Sequence, residues 1–256
     1  MILAIDAGNT NIVFALHDGK ELRQKWRIST VDSRTADEYM VWLSQLMRLE
    51  DFDTASIKGA IIATVVPQAL FPLQLLCRRY FSCEAVVVGA PGVDLGIEVA
   101  LDNPREVGAD RLVNAVAARD NYGAPLIVLD FGTATTFDVV DDKGRYIGGV
   151  ISPGINLSLE ALHMAAAKLP RVAVERPEKV IGRSTVPAMQ SGVFWGYVGL
   201  IEGLCSRIIA EYGKPMKVVA TGGLAPLFAG VAPVIEDVDQ ELTIKGLFKI
   251  YQRNRP

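Results

Sequence analysis

ILAIDAGNTNIVFALHDGK, residues 2–20, returns in altered form as LIVLDFGTATTFDVVDDKG, residues 126–144. Each copy runs from an apolar stretch through Asp-x-Gly into a turn of small polar residues. A second apolar stretch and an acidic turn with glycine follow. The Asp-x-Gly steps coincide at Asp6/Gly8 and Asp130/Gly132. Self-similarity of this kind fixes an architecture before any single element does. Two copies in 256 residues predict a duplicated domain with a cleft between the copies.

Both halves continue alike. Residues 21–29 and 145–151 each add a third strand to a meander, because short strands joined by glycine-containing turns favour antiparallel hairpins. The period then changes. Residues 35–49 place Tyr39, Leu43, Leu46 and Met47 on one helical face. Residues 59–66, an apolar run closed by Pro67, read as a buried strand. Helix is expected over 68–81, 108–121, 155–168, 187–212 and 240–252, and strand over 84–88, 216–220 and 234–238. The fold class is therefore α/β, each half a mixed sheet flanked by helices. Asn121-Tyr122-Gly123-Ala124-Pro125 marks the boundary, giving domains 1–120 and 121–256.

Composition narrows the function. Half the residues are hydrophobic, enough for one or two full cores, and the net charge is −3. Lys and Arg are dispersed, with Arg78-Arg79 the densest pair, so no basic stripe marks a nucleic-acid partner. A small anion needs only local N–H groups and charge. Cys77, Cys83 and Cys205 show no CxxC spacing and read as small buried hydrophobes kept reduced. The N-terminus lacks a basic region before its short apolar run, and no stretch approaches a membrane span, so a soluble, cytoplasmic protein with no membrane partner is expected.

Three turns are candidates for binding a ligand. In Asp6-Ala7-Gly8-Asn9-Thr10-Asn11, glycine lets the backbone approach a ligand and the strand-end carboxylate can hold a hydrated Mg²⁺. Read alone, this segment is equally a polar hairpin turn. Asp130-Phe131-Gly132-Thr133-Ala134-Thr135-Thr136 offers hydroxyls and N–H groups to phosphate and a carboxylate to a cation. Thr135 and Thr136 also fit simple strand entry, but that does not explain the matched Asp-x-Gly step. Thr221-Gly222-Gly223-Leu224-Ala225 follows an apolar strand and can take a flat ligand or phosphate at a helix start. Two Asp-x-Gly turns followed by a late strand-Gly-Gly resemble the nucleotide signature of the actin-like (ribonuclease H-like) superfamily of acetate kinase, sugar kinases and Hsp70.

The segment Asp102-Asn103-Pro104-Arg105-Glu106-Val107-Gly108-Ala109-Asp110-Arg111 opens a helix. An aspartate there can be a capping charge alone. Joined to DAGNT, DFGTATT and TGGLA, the segment resembles the motif set of type III pantothenate kinases. The resemblance implies ATP-dependent phosphorylation of pantothenate, with Asp110 as general base on the pantothenate hydroxyl. It implies that Asp6, Ala7, Gly8, Asn9, Thr10, Asn11, Ile12, Val13, Thr133, Gly222 and Gly223 serve ATP. Gly108, Ala109, Asp110, Arg111, Thr185 and Leu101 would serve pantothenate, Leu101 standing where several relatives carry an aromatic residue. Asp130 would hold a monovalent cation, K⁺ or NH₄⁺, and Asp6 the Mg²⁺ through water. Carboxylates at positions 6, 110 and 130 in one cleft would need cations to coexist. A homodimer is also implied, and Gly192, Gly196, Gly199 and Gly203 around Trp195 give a close-packing face that suits either a dimer or the interior. His17 and His163 read as structural. The alternatives are a catalytically silent, transcription-accessory relative and an actin-like kinase for another small hydroxy-acid.

Overall fold

The computed structural model describes residues 1–165 and 169–255, in two compact units. The first comprises residues 1–117 and 242–255, the second residues 118–241. The last three residues expected in the helix over 155–168 lie outside the described residues.

In the first unit, β1 (Ile2–Ala7), β2 (Asn11–His17) and β3 (Leu22–Ser29) form the expected antiparallel meander. β4 (Gly59–Thr64) pairs parallel to β1 and β5 (Ala85–Val87) parallel to β4, giving the order β3-β2-β1-β4-β5. Successive strand residues face opposite sides, and both sides are buried. Leu3, Ile5, Ala60 and Ile62 pack with Phe14, Leu43 and Leu73. These contacts bring in α1 (Ala36–Leu49) and α2 (Pro67–Phe81). Thr35 starts α1 through a capping box with Glu38, which satisfies otherwise unpaired backbone donors. On the other side, Ala4, Ile61 and Ala63 meet Val113 and Val116 of α3 (Ala109–Tyr122), together with Ile244, Leu247 and Ile250.

Those last three residues belong to α7 (Leu242–Asn254). The helix itself matches expectation, but the sequence reading assigned it to the second half. It packs on β1 and β4 of the first unit instead. Its start is tied to α3 by Thr243 Oγ1 donating to Asn114 Oδ1 at 2.7 Å. Gly246 lies so close to α3 that a Cβ there would stand 2.2 Å from the Val113 carbonyl oxygen.

The second unit repeats the topology. β6 (Leu126–Phe131), β7 (Ala134–Val140) and β8 (Tyr146–Pro153) form the meander. β9 (Lys217–Gly222) and β10 (Asp237–Val238) add in parallel, in the order β10-β9-β6-β7-β8. The ladders shift register at matched points, Leu16/His17 in one unit and Val139/Val140 in the other. α4 (Ile155–Ala165), α5 (Thr185–Tyr212) and the short α6 (Ala225–Ala229) complete the unit. Its core is aromatic: the Phe228 ring stacks on Phe131 at 5.1 Å and on Phe194 at 5.4 Å between centroids. α5 is, by length and composition, apolar enough to cross a membrane, which corrects the expectation that no segment approaches one. It buries Phe194, Tyr197, Val198, Ile201 and Cys205 in the core of this unit.

Candidate active site

In the first unit the site is assembled by strand parity. Ala4 faces the side of β1 covered by α3, so Asp6, two residues on, faces the same side at the carboxyl end of the strand. The chain beyond β4 is fastened to that end by Val65 N donating to the Ala7 carbonyl oxygen at 3.1 Å. The start of α3 lies against the same place. A Cβ at Gly108 would stand 3.5 Å from Val65 Cγ1 and only 2.6 Å from Asp110 Oδ1. Glycine at 108 thus leaves the room that the Asp110 carboxylate occupies. Asp6 and Asp110 therefore share one face and one end of the first unit.

Asp110 sits in the first turn of α3, where the helix dipole favours a negative charge. Its Oδ1 accepts the Arg111 N–H at 2.8 Å. Burial strips water from the carboxylate and raises its pKa. The Arg111 N–H and guanidinium pull the other way without cancelling the rise. A carboxylate poised above its ordinary range is a better proton acceptor near neutral pH than a solvated one.

The loop between β1 and β2 is held from both sides. Gly8 N donates to the Asn11 carbonyl oxygen at 3.0 Å. Thr30, the first residue after β3, donates its N–H to the Thr10 carbonyl oxygen at 3.0 Å and its hydroxyl to the Gly8 carbonyl oxygen at 2.6 Å. Asn9 and Thr10 are exposed, whereas the Ala7 and Ile12 side chains are fully buried in the α1–α2 core. Of the residues expected to line a phosphate site, those two have only backbone to offer. Thr30 was missed by the sequence reading: it is distant in sequence from the loop, and a lone threonine after a strand carries no signal. Thr30→Val is expected to raise the KM for ATP about tenfold, the worth of one hydrogen bond near the upper end of its range. Thr30→Ser, which keeps the hydroxyl, should restore it. Steady-state kinetics of both variants checks this, and an unchanged KM in Thr30→Val would remove the role.

The second unit builds the counterpart. Asp130 occupies the position of Asp6, with Ile127, Leu129 and Phe131 turned to the aromatic core and Asp130 to the opposite side. Gly132 N donates to the Ala134 carbonyl oxygen at 3.0 Å, and Gly154 N, just past β8, donates to the Thr133 carbonyl oxygen at 3.1 Å. Gly154 is the counterpart of Thr30, again unseen in the sequence, and a Cβ there would stand 2.2 Å from the Thr133 carbonyl oxygen. Thr133 is exposed and Thr135 buried. β9 lies directly against β6, pairing Asp130 with Thr221 and Phe131 with Gly222. Gly222 has φ +91°, and a Cβ there would meet the Phe131 carbonyl oxygen at 2.6 Å and Asp130 Oδ1 at 2.7 Å. Gly223 is exposed with nothing within 4 Å of a Cβ position.

Leu101 and Ala109 are half-buried in the first unit, and Thr185 is exposed at the start of α5 in the second. Among the described residues no three His, Cys, Asp or Glu side chains gather into a ready-made metal site. His17 stacks on Phe248 at 3.4 Å between centroids, and its Nδ1 accepts the Gly19 N–H at 3.0 Å, a packing role.

The family model described as type III pantothenate kinase matches residues 2–207. The type III pantothenate kinase of Paramagnetospirillum magneticum is 66% identical, over 99% of this chain and 98% of its own length. Among solved structures, a Sinorhizobium meliloti protein described as a 2-dehydro-3-deoxygalactonokinase superposes with TM-score 0.61 at 13% identity, over 100% of this chain and 97% of its own. A Campylobacter jejuni protein described as a Baf family transcriptional activator gives TM-score 0.61 at 19% identity, over 98% of each chain. At these identities the two structures speak to the fold alone, a pair of actin-like units.

Proposed function

Because the chain belongs to the type III pantothenate kinase family, and so phosphorylates pantothenate to 4'-phosphopantothenate with ATP, the first step of coenzyme A synthesis, we propose that Asp110 is the base that takes the proton of the attacking hydroxyl. The observation that carries this is the partly buried carboxylate at the start of α3, its pKa raised by desolvation, on the same face and at the same end as Asp6. Phosphoryl transfer asks for positioning and charge neutralisation more than for covalent chemistry. The loop residues Asn9 and Thr10, with Asn11, offer backbone N–H groups and neutral side chains to the phosphates, Gly8 lets a ligand come close, and Thr133 adds a hydroxyl. Gly222 and Gly223 offer a side-chain-free surface to the nucleoside. Arg111 is suited to pair with the pantothenate carboxylate, since its guanidinium matches a carboxylate in a two-pronged contact. Gly108, Ala109, Leu101 and Thr185 are the further residues this reading gives to pantothenate, Gly108 leaving room beside the Asp110 carboxylate.

Kinase chemistry on ATP brings a divalent metal, and Mg²⁺ fits the residues present. It prefers one or two carboxylates with water and phosphate completing its shell, and Asp6 supplies one carboxylate. A monovalent cation, K⁺ or NH₄⁺, is assigned to the Asp130 carboxylate at the end of β6, near the Phe131 carbonyl oxygen. Such cations supply positive charge against the triphosphate; the protein's part is to hold the carboxylates in place.

The test is ADP release with pantothenate against a panel of small hydroxy-acids, with and without K⁺. Turnover confined to pantothenate and dependent on K⁺ is expected. Release with another acid would shift the substrate, and no release at all would favour the silent, transcription-accessory relative.

A homodimer joined through the second unit is part of the same proposal, in a cytoplasmic setting. Ile151, Leu157 and Met164 are 63%, 50% and 71% exposed, and Gly192, Gly196 and Gly199 open onto free space along α5. Apolar side chains and bare helix backbone of this kind are what a second copy would cover. Sedimentation as a monomer at micromolar concentration would remove the dimer.

A further inference from the structure

The end of α2 brings two thiols together. The helix stops at Ser82, whose left-handed conformation (φ 52°, ψ 37°) turns the chain back on itself. The Cys77 carbonyl oxygen then accepts both the Ser82 N–H and, at 3.2 Å, the Cys83 N–H. With standard backbone dimensions that contact keeps the two Cα atoms within about 7 Å, the outer edge of the separation a disulfide spans. Each thiol also acts on the other across this turn, Cys83 raising the Cys77 pKa and Cys77 lowering that of Cys83. Cys77 is buried and Cys83 partly exposed. The pair lies outside the nucleotide and pantothenate residues: Cys77 stands about 15 Å along α2 from Pro67.

We propose that Cys77 and Cys83 are a redox-active dithiol that closes to an intramolecular disulfide on meeting a low-molecular-weight disulfide of the glutathione type. The partly exposed Cys83 thiol, having lost its proton to solvent, attacks one sulfur of RS–SR. An S–S bond forms to Cys83, the RS–SR bond breaks, and one RS⁻ leaves and takes a proton. Cys77 then gives up its proton and attacks the Cys83 sulfur. The protein disulfide forms and the second RS⁻ leaves, so that two protein thiols are oxidised and one RS–SR is reduced to two RSH.

The asymmetry of the pair suits this order. The neighbouring Cys77 thiol favours the Cys83 thiolate and lowers its pKa, while Cys83 and burial together raise that of Cys77. The more accessible sulfur is thus also the readier nucleophile. Cys205 provides an internal control, buried alone with its thiol pushed up to about 12 by desolvation. The absence of CxxC spacing had pointed to three inert thiols. The folded-back helix end replaces sequence proximity with spatial proximity for two of them.

The experiment treats the intact enzyme with oxidised glutathione, alkylates it after denaturation and reads the intact mass. Two thiols lost per chain, one thiol alkylated and no retained glutathione is the expected result. After trypsin, the fragment ending at Arg78 should be joined to the fragment beginning at Tyr80 until a reductant is added. Cys77→Ser, or Cys77→Ala if the first variant folds poorly, should retain one glutathione on Cys83, because the resolving thiol is gone. Three alkylated thiols in the treated wild type, a persistent glutathione adduct on it, or a disulfide joining two chains would each overturn the proposal.

Discussion

Asp110→Asn is expected to lower kcat by about 10²–10⁴-fold, the usual contribution of a positioned general base, while making the protein more resistant to unfolding at neutral pH. The two effects share one cause. Burial raises the Asp110 pKa above its value in the unfolded chain. Between those two values the folded state holds the proton more tightly, so stability falls as pH rises through that window. Above that window the carboxylate is ionised and the full cost of its partial burial is borne. Asparagine removes the charge and keeps an oxygen to accept the Arg111 N–H. Its stabilising effect should be present at pH 7 and vanish below the unfolded aspartate value of about 3.9. Thermal melts of wild type and variant at both pH values, beside ATP turnover, make the check. The wild-type rate should fall as pH drops through the raised Asp110 pKa. Normal turnover in Asp110→Asn would remove the base, and a lower melting temperature at pH 7 would show that the carboxylate is held by contacts outweighing its desolvation.

The duplication was legible because it is written in strand parity. β2 and β7 bury their residues in the same order, and Asp6 and Asp130 each sit at the one inward-facing strand end where the apolar alternation breaks. Hydrophobic period conveys this much without any knowledge of the partner strands. It does not convey loop length. The two copies align without a gap on paper, yet three residues separate β1 from β2 and two separate β6 from β7. Nor does it convey which sheet a helix joins. α7 has an ordinary amphipathic pattern, and only the apolar side of β1 and β4 left open beside α3 explains its place in the first unit. The residues that brace the two Asp-x-Gly loops, Thr30 and Gly154, escaped for the same reason. Their partners lie about 20 residues away across a completed meander, and a single hydrogen bond leaves no periodic trace.

The adjacent glycines of the strand-Gly-Gly turn read identically in sequence, and the structure separates them. Gly222→Val should cost about 10²-fold in kcat/KM, the usual penalty for displacing a reacting group by about an ångström, and should lower the melting temperature with no ligand present. Its φ of +91° is strained for any residue with a Cβ. That Cβ would also be driven into the Phe131 backbone, which cannot yield without shifting β6, and into the Asp130 carboxylate, which would have to turn away. Because Asp130 is the proposed cation ligand, the dependence on K⁺ should weaken together with activity. Gly223→Ala meets nothing within 4 Å. It should melt like the wild type, and any effect should fall on the KM for ATP, where the added methyl would meet the nucleoside. Differential scanning fluorimetry of the two variants, followed by ATP and K⁺ titrations, separates backbone geometry from ligand contact. If Gly222→Val melts and turns over like the wild type, the close approach of β9 to Asp130 has no part in holding the cation site.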